Sequence, residues 1–184
     1  MKNEINRIAD RLVKAYNTNT VINPIPVKYC KNINLANKLR KLCEDQIKDE
    51  TIGIKAGGTG IQALKKLKEK EPFTAKVFKK RLVKSGQKVK INQHTKGIEV
   101  EVYYFIKKSF FDFKGKVTKS NVTKFIKFMG PCFEIVGFRQ RNKKFTYLGD
   151  ICGDFGFNIK FVVGRKTKFK KLNLNNLKTS LVSK

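Results

Sequence analysis

Ten residues near the middle of the chain, Gly97 to Ile106, admit few conformations. They read GIEVEVYYFI. β-Branched and aromatic side chains fill the run, and no helix former interrupts it, so it reads as a strand. On a strand, residues two apart share a face. Glu99 and Glu101 therefore point one way, and Val100 and Val102 the other. Two like charges on one face repel, and something must compensate them. A hard divalent cation such as Mg²⁺ would do so, given a further oxygen ligand and some water. A solvated polar face beside abundant lysine is the alternative.

The pairing is notable because carboxylates are scarce. The 184 residues hold 42 Lys and Arg against 14 Asp and Glu, a formal net charge of +28, with a pI near 10.1. Such a chain repels itself unless polyanions or acidic neighbours neutralise it, and a pI above 9 is the electrostatic footprint of a nucleic-acid binder. Hydrophobic residues make up 40% of the chain, enough for a packed core, so this is no disordered basic tail. The length suits one domain. Cys30, Cys43, Cys132 and Cys152 lack C-x-x-C spacing and His94 is the lone histidine, which argues against a zinc site and a disulfide scaffold. Scattered cysteines fit buried thiols in a reducing compartment. No run of 18 apolar residues spans a membrane, and the opening residues have neither signal-peptide nor transit-peptide composition.

Helices come first. Ile5, Ile8, Ala9, Leu12, Val13 and Tyr16 recur at helical spacing and predict an amphipathic helix over 3–17. Two prolines then break the pattern. Asn34 is expected to cap a second helix that buries Leu35, Leu39, Leu42 and Ile47. TIGIKAGGTG reads as a strand running into a glycine turn, and IQALKKLKEK as a short basic helix. Ser120 is expected to cap a helix over 121–129. PCFEIVGFR and FNIKFVVG read as further strands, each stopped at a glycine. The expected class is α+β. The glycine turn lacks the spacing of either common phosphate loop.

Taken in order, these segments resemble the 2-keto-4-pentenoate hydratase branch of the fumarylacetoacetate hydrolase superfamily. INRIADRLVKAYNTNTVINPI resembles the family's start, and GIKAGGT its G-x-K-x-G-x-T turn. EPFTAKVF stands where the family has P-D-F-G-x-L-F. GIEVEVYYFI resembles the E-x-E strand and PCFEIVGFR the P-A-x-E-x-V-x-S-R strand. DICGDFGFNIKFVVG resembles D-x-x-A-D-N-A-S-S…F-V-x-G, and KKLNLNNLKTSLV resembles L-D-L-x-x-L-x-x-V. Order and spacing hold over residues 5–182.

The resemblance implies N-terminal helices in 1–50 and a mixed β-sheet roll or sandwich in 51–184, together one structural unit. It implies Mg²⁺ or Mn²⁺ ligands at Glu99, Glu101 and Glu134, and an active-site lysine at Lys55. It also marks departures. The family's Asp in P-D-F-G is missing at Phe73–Thr74. Its Ser is Phe138, although Arg139 remains. Asp154 is kept, but the polar residues after it are Phe155 and Phe157, followed by Asn158. A keto-acid site needs placed donors and acceptors, and phenylalanines are expected to fill the pocket. The family continues beyond this point with elements that close its roll, so a truncated version of the fold is expected.

The expectation is therefore a pseudoenzyme with no catalytic residues, Lys55 being a relic. It would be an RNA-associated structural protein of a large ribonucleoprotein, specifically the mitochondrial ribosome, by analogy with former enzymes recruited to organelle ribosomes. Ribosomal RNA and neighbouring ribosomal proteins would be its partners, with no small-molecule substrate. The mitochondrial matrix is the expected compartment and the cytoplasm the alternative. No cofactor is required, and a structural Mg²⁺ is admitted. Phosphate contacts are expected from the dense basic runs at 65–90 and 165–171: Lys65, Lys66, Lys68, Lys79, Lys80 and Arg81 in the first, and Arg165, Lys166, Lys168, Lys170 and Lys171 in the second. Two other readings stay open, a metal-dependent hydratase or lyase acting on a small 2-keto acid, and a structural subunit of another organellar complex.

Overall fold

The computed structural model describes residues 3–91, 94–173, 178–180 and 182. Residues 174–177 and 181 of KKLNLNNLKTSLV lie outside the described residues.

Helix α1 spans Glu4–Thr18, with Asn3 Oδ1 accepting from the Ile5 N–H at its start. All six residues of the expected stripe are buried. After the short α2 (Lys28–Lys31) comes α3 (Ile33–Asp45). Its cap is Asn32, not Asn34. The Asn32 carboxamide oxygen accepts from the N–H groups of Asn34 and Leu35, at 3.0 and 3.2 Å. The cap falls two residues early because Ile33 and Asn34 already have helical geometry, which leaves their N–H groups to be satisfied from outside the helix. Leu39 is fully buried, and Leu35, Leu42 and Ile47 pack against the α1–α3 core.

Strand β1 (Thr51–Gly57) and β2 (Phe73–Phe78) form an antiparallel pair joined through α4 (Ile61–Lys66). A second, mixed sheet contains β3 (Leu82–Lys84), β4 (Thr95–Ile106), β5 (Ile126–Gly137) and β6 (Asn158–Val163), with α5 (Leu148–Cys152) between β5 and β6. Its order is β3-β6-β5-β4, and β7 (Thr167–Lys168) adds to β5. Among the strand pairs of the described residues, β3–β6 is parallel and the others are antiparallel. The expected architecture, helices followed by a mixed sheet, is the one observed.

The expected helix over 121–129 is not. Val122–Phe125 make one 3-10 turn, and β5 begins at Ile126. The hydrophobic residues there follow two periods at once. Cross-strand pairing settles the choice, because Phe128 stands opposite Phe105 and Ile126 opposite Ile106 on β4.

The helices are bound to the sheets by buried charge. Arg40 and Glu44, one turn apart on α3, meet at 2.6 Å, and the second Glu44 oxygen accepts from the Lys76 N–H of β2. All four cysteines are free and buried, as their scatter suggested.

Candidate metal centre

Strand β4 lies beside β5 in a register that puts Glu99 directly opposite Glu134 and Glu101 opposite Cys132. Opposed residues of an antiparallel pair share a face, so all three glutamates project from one side of the sheet. One carboxylate oxygen from each lies within 4.8 Å of the others. Glu99 and Glu101 are exposed, while Glu134, on the strand between β4 and β6, is 2% exposed.

Lys55 enters this cluster from the other sheet. Its ammonium donates to Glu134 Oε1 at 2.6 Å and to the Gly156 carbonyl at 3.0 Å. The turn that presents this carbonyl is unusual. Phe155, Gly156 and Phe157 all have positive φ, at 53°, 67° and 73°. A Cβ at Gly156 would stand 2.7 Å from that of Ala75, so glycine is needed there for space as well as conformation. The two phenylalanines occupy a region that side chains of their bulk rarely adopt, at a cost of about 1–3 kcal/mol each.

Neighbouring contacts hold the turn. Asp154 Oδ2 accepts from the Arg139 N–H at 2.7 Å, and its Oδ1 pairs with the Arg139 guanidinium at 3.2 Å. The same guanidinium donates to the Asn158 carbonyl, and the Asn158 carboxamide to that of Phe155. Phe155, 1% exposed, stacks on Tyr16 with ring centroids 4.3 Å apart, and belongs to the core under α1 and α3. Phe138 packs on Phe157 at 4.5 Å. The expected filling of a pocket by phenylalanines is not what these residues do: Phe155 packs on Tyr16 in the core under α1 and α3, and Phe138 and Phe157 pack on each other.

Electrostatically the cluster lacks positive charge. Burial pushes the Glu134 carboxyl up to about 7, with Lys55 pulling the other way and Glu99 and Glu101 adding to the rise. Burial also raises Glu101, helped by Glu99. Three hard oxygen donors with this spacing fit a divalent ion, since ligands 2.3–2.6 Å from a Ca²⁺ stand up to about 5 Å apart across it. The donor set, three carboxylate oxygens within 4.8 Å of one another, fits a divalent cation, and a Mg²⁺, which takes oxygens at about 2.0–2.1 Å, would draw them closer. Glu99, Glu101 and Glu134 would hold it, and Lys55 now occupies one of the Glu134 oxygens.

The basic candidates are dispersed. Lys65 and Lys66 lie on α4, Lys68 just after it, and all three are exposed. Lys79 pairs with Glu50 at 2.7 Å, and Lys80 is exposed beside it. Arg81 differs from the rest. Its guanidinium lies 3.7 Å from the centre of the Tyr16 ring and donates to the Tyr16 carbonyl, so it is committed to the fold. Arg165, Lys166, Lys168, Lys170 and Lys171 are exposed around β7. The sequence pattern did not single out the Gly156 carbonyl as a partner of Lys55. A glycine between two phenylalanines was its only available signal.

The chain superposes on two solved structures of 4-oxalocrotonate decarboxylase from Pseudomonas putida G7, one complexed with magnesium and adipate, the other with calcium and acetate. The TM-scores are 0.68 and 0.71, at 16% identity and over 90% of this chain. The fold is that of 4-oxalocrotonate decarboxylase. This is the fumarylacetoacetate hydrolase-like fold expected from the order of the motifs. The chain spans 64% and 63% of the length of these two structures. No family model and no curated protein matches it.

Proposed function

We propose that this chain is a non-catalytic, RNA-associated structural protein built on a hydratase-like fold. The observation that carries the reading is the charge imbalance. Each acid can neutralise at most one base, so 42 Lys and Arg against 14 Asp and Glu leave a large excess for a partner. Several of the acids are further committed to internal pairs, among them Glu44, Glu134, Asp150 and Asp154. Phosphates are the partner that such a surface binds through counterion release. The phenylalanine turn beside Lys55 supports loss of catalysis, because Phe155 and Phe157 are committed to aromatic packing and offer no hydrogen-bonding side chain where a keto acid needs one. The setting is a large ribonucleoprotein, the mitochondrial ribosome in the matrix being the specific assignment, with ribosomal RNA and ribosomal proteins as neighbours. Sedimentation of the native protein from a gentle lysate, with and without RNase, tests this. Co-migration with a large particle that RNase disperses is the expected result. A small, RNase-indifferent species overturns it.

One observation favours a second reading. The convergence of Glu99, Glu101 and Glu134 beside Lys55 suits a metal-dependent hydratase or lyase acting on a small 2-keto acid. A bound divalent ion would supply Lewis acidity toward the substrate's oxygens. Lys55 would hold or move a proton at Nζ. Turnover of a 2-keto acid that requires Mg²⁺ or Mn²⁺ and is abolished by Glu101→Ala would establish this reading in place of the first.

A further inference from the structure

The connection between β4 and β5 carries a hydrophobic cluster separate from both cores. Residues 107–125 form two 3-10 turns, Lys108–Phe110 and Val122–Phe125. The Lys107 N–H donates to the Phe125 carbonyl at 2.6 Å and closes the base of this lobe. Inside it, Phe125 meets Phe110 at 5.4 Å and Phe113 at 5.0 Å, and Phe111 stands edge-on to Phe110 at 5.5 Å. The cluster is not closed over. Phe111 is 73% exposed, and Phe105 at the end of β4 is 56% exposed. Lys107, Lys108, Lys114, Lys116, Lys119 and Lys124 belong to the same segment and are all exposed, the Lys107 ammonium donating to the Lys124 carbonyl at 2.6 Å, and Asp112 is the one acid of the segment. At the foot of the lobe, the ammonium groups of Lys127 and Lys166 lie over the Phe128 ring at 5.4 and 5.2 Å.

We infer that this lobe is a docking surface for single-stranded RNA, with Phe111 and its neighbours stacking on unpaired bases and the lysines tracking the phosphates. The inference rests on the RNA-associated reading and locates it, moving the principal contact away from the basic runs at 65–90 and 165–171. Exposed aromatic rings on a lysine-rich segment offer base stacking and charge neutralisation together, the two elements of sequence-tolerant single-strand binding. A second copy of the chain is disfavoured, since like charges would meet. A lipid surface fits poorly, because Asp112 separates Phe111 from Phe113 and no amphipathic helix is present in the segment.

The test is fluorescence anisotropy of the full chain with labelled oligouridine of about 15 nucleotides, within the usual footprint of such platforms, and with duplex RNA of equal length. Phe111→Ala is expected to weaken oligouridine binding about tenfold and leave duplex binding unchanged. Phe111→Trp is expected to keep both. Phe111 packs too little of its surface to hold the fold, so both variants should fold as the parent does, and circular dichroism verifies it. Equal oligouridine affinity in Phe111→Ala and the parent overturns the lobe while leaving the RNA reading intact. No binding of either RNA by the parent overturns both. Loss of polyglutamate binding in Phe111→Ala, with oligouridine binding kept, assigns the lobe to an acidic protein and overturns the inference.

Discussion

Lys55 and Glu134, 79 residues apart, meet at 2.6 Å and join the two sheets through one nearly buried ion pair. The pair is the sole ammonium contact described for a cluster of three carboxylates, and removing one member of a buried pair leaves the other uncompensated. Lys55→Ala is therefore expected to lower stability by about 3–5 kcal/mol. At pH 8, added Mg²⁺ should restore more of that stability than it adds to the parent, because the ion would replace the missing charge. Thermal unfolding with and without Mg²⁺ measures both effects. An equal Mg²⁺ effect in the two proteins would remove these glutamates as an ion site.

The proton affinity of Glu134 fixes the sign of a pH dependence. Burial raises its carboxyl from an ordinary 4.5 to about 7. Between these values the folded state holds a proton that the unfolded state has released. The contribution to stability is then full below 4.5 and is lost as pH rises through about 7. Its size is on the order of 3 kcal/mol. Glu134→Gln carries no such proton, so its stability should decline less across this window. Urea unfolding from pH 5 to pH 8 compares the two slopes, within roughly the error of extrapolation. Parallel slopes would contradict the assignment.

Asp150 gives the opposite sign. Burial works to raise its carboxyl, but Lys143 at 2.7 Å and the N–H groups of Tyr147 and Thr146 together hold it below 3.8. Its stabilisation is present above that value and is lost as pH falls through the lower folded one. Asp150→Ala should cost about 3–5 kcal/mol at neutral pH. The difference between variant and parent should shrink on acidification toward pH 3 and below, as the parent carboxylate takes up its proton. Denaturant midpoints at the two ends of that range provide the comparison.

The sequence carried α1, β4 and the Glu99–Glu101 pair plainly, because each rests on a local period. A 3.6-residue stripe identifies α1, and strict alternation identifies β4 and places Glu99 and Glu101 together. Glu134 and Lys55 came only from the order of motifs, since no local pattern relates residues 79 apart. What stayed hidden depends on tertiary packing. Helix α5 has five residues and no propensity to stand alone; Asp150 holds its first turn, and α2 and α3 pack against it. The 121–129 segment fits both periods, and only its pairing with β4 decides. Arg81 looked like one more surface cation until Tyr16 was placed beneath it.

The hidden packing of α5 makes its own prediction. A Cβ on Gly149 would stand 2.1 Å from the Cys30 carbonyl oxygen, and 3.0 Å from the Ala36 Cβ. Backbone at that distance cannot yield as a side-chain tip would. Gly149→Ala should force α5 away from α2 at a cost of about 1–3 kcal/mol or more. Gly53→Ala, with nothing within 4 Å, is the control and should change stability by about 0.5 kcal/mol or less. Equal effects would mean that α5 is not seated as described.

Arg81 and the α4 lysines separate the demands of the fold from those of the polyanion. Arg81 stacks on Tyr16 and bonds its carbonyl, so Arg81→Gln should destabilise the chain by about 1–2 kcal/mol, the range of a partly buried cation–π contact and a charged hydrogen bond. RNA affinity, measured well below the unfolding temperature, should change little. Lys65 and Lys66 are exposed and make no described ion pair. The double change Lys65→Gln and Lys66→Gln should leave stability within about 0.5 kcal/mol. If α4 touches phosphate, the slope of log affinity against log salt on duplex RNA should become shallower by up to about 0.9 for each phosphate no longer neutralised. An unchanged slope would place α4 off the interface, leaving the β4–β5 lobe and the cations around β7 to bind the phosphates.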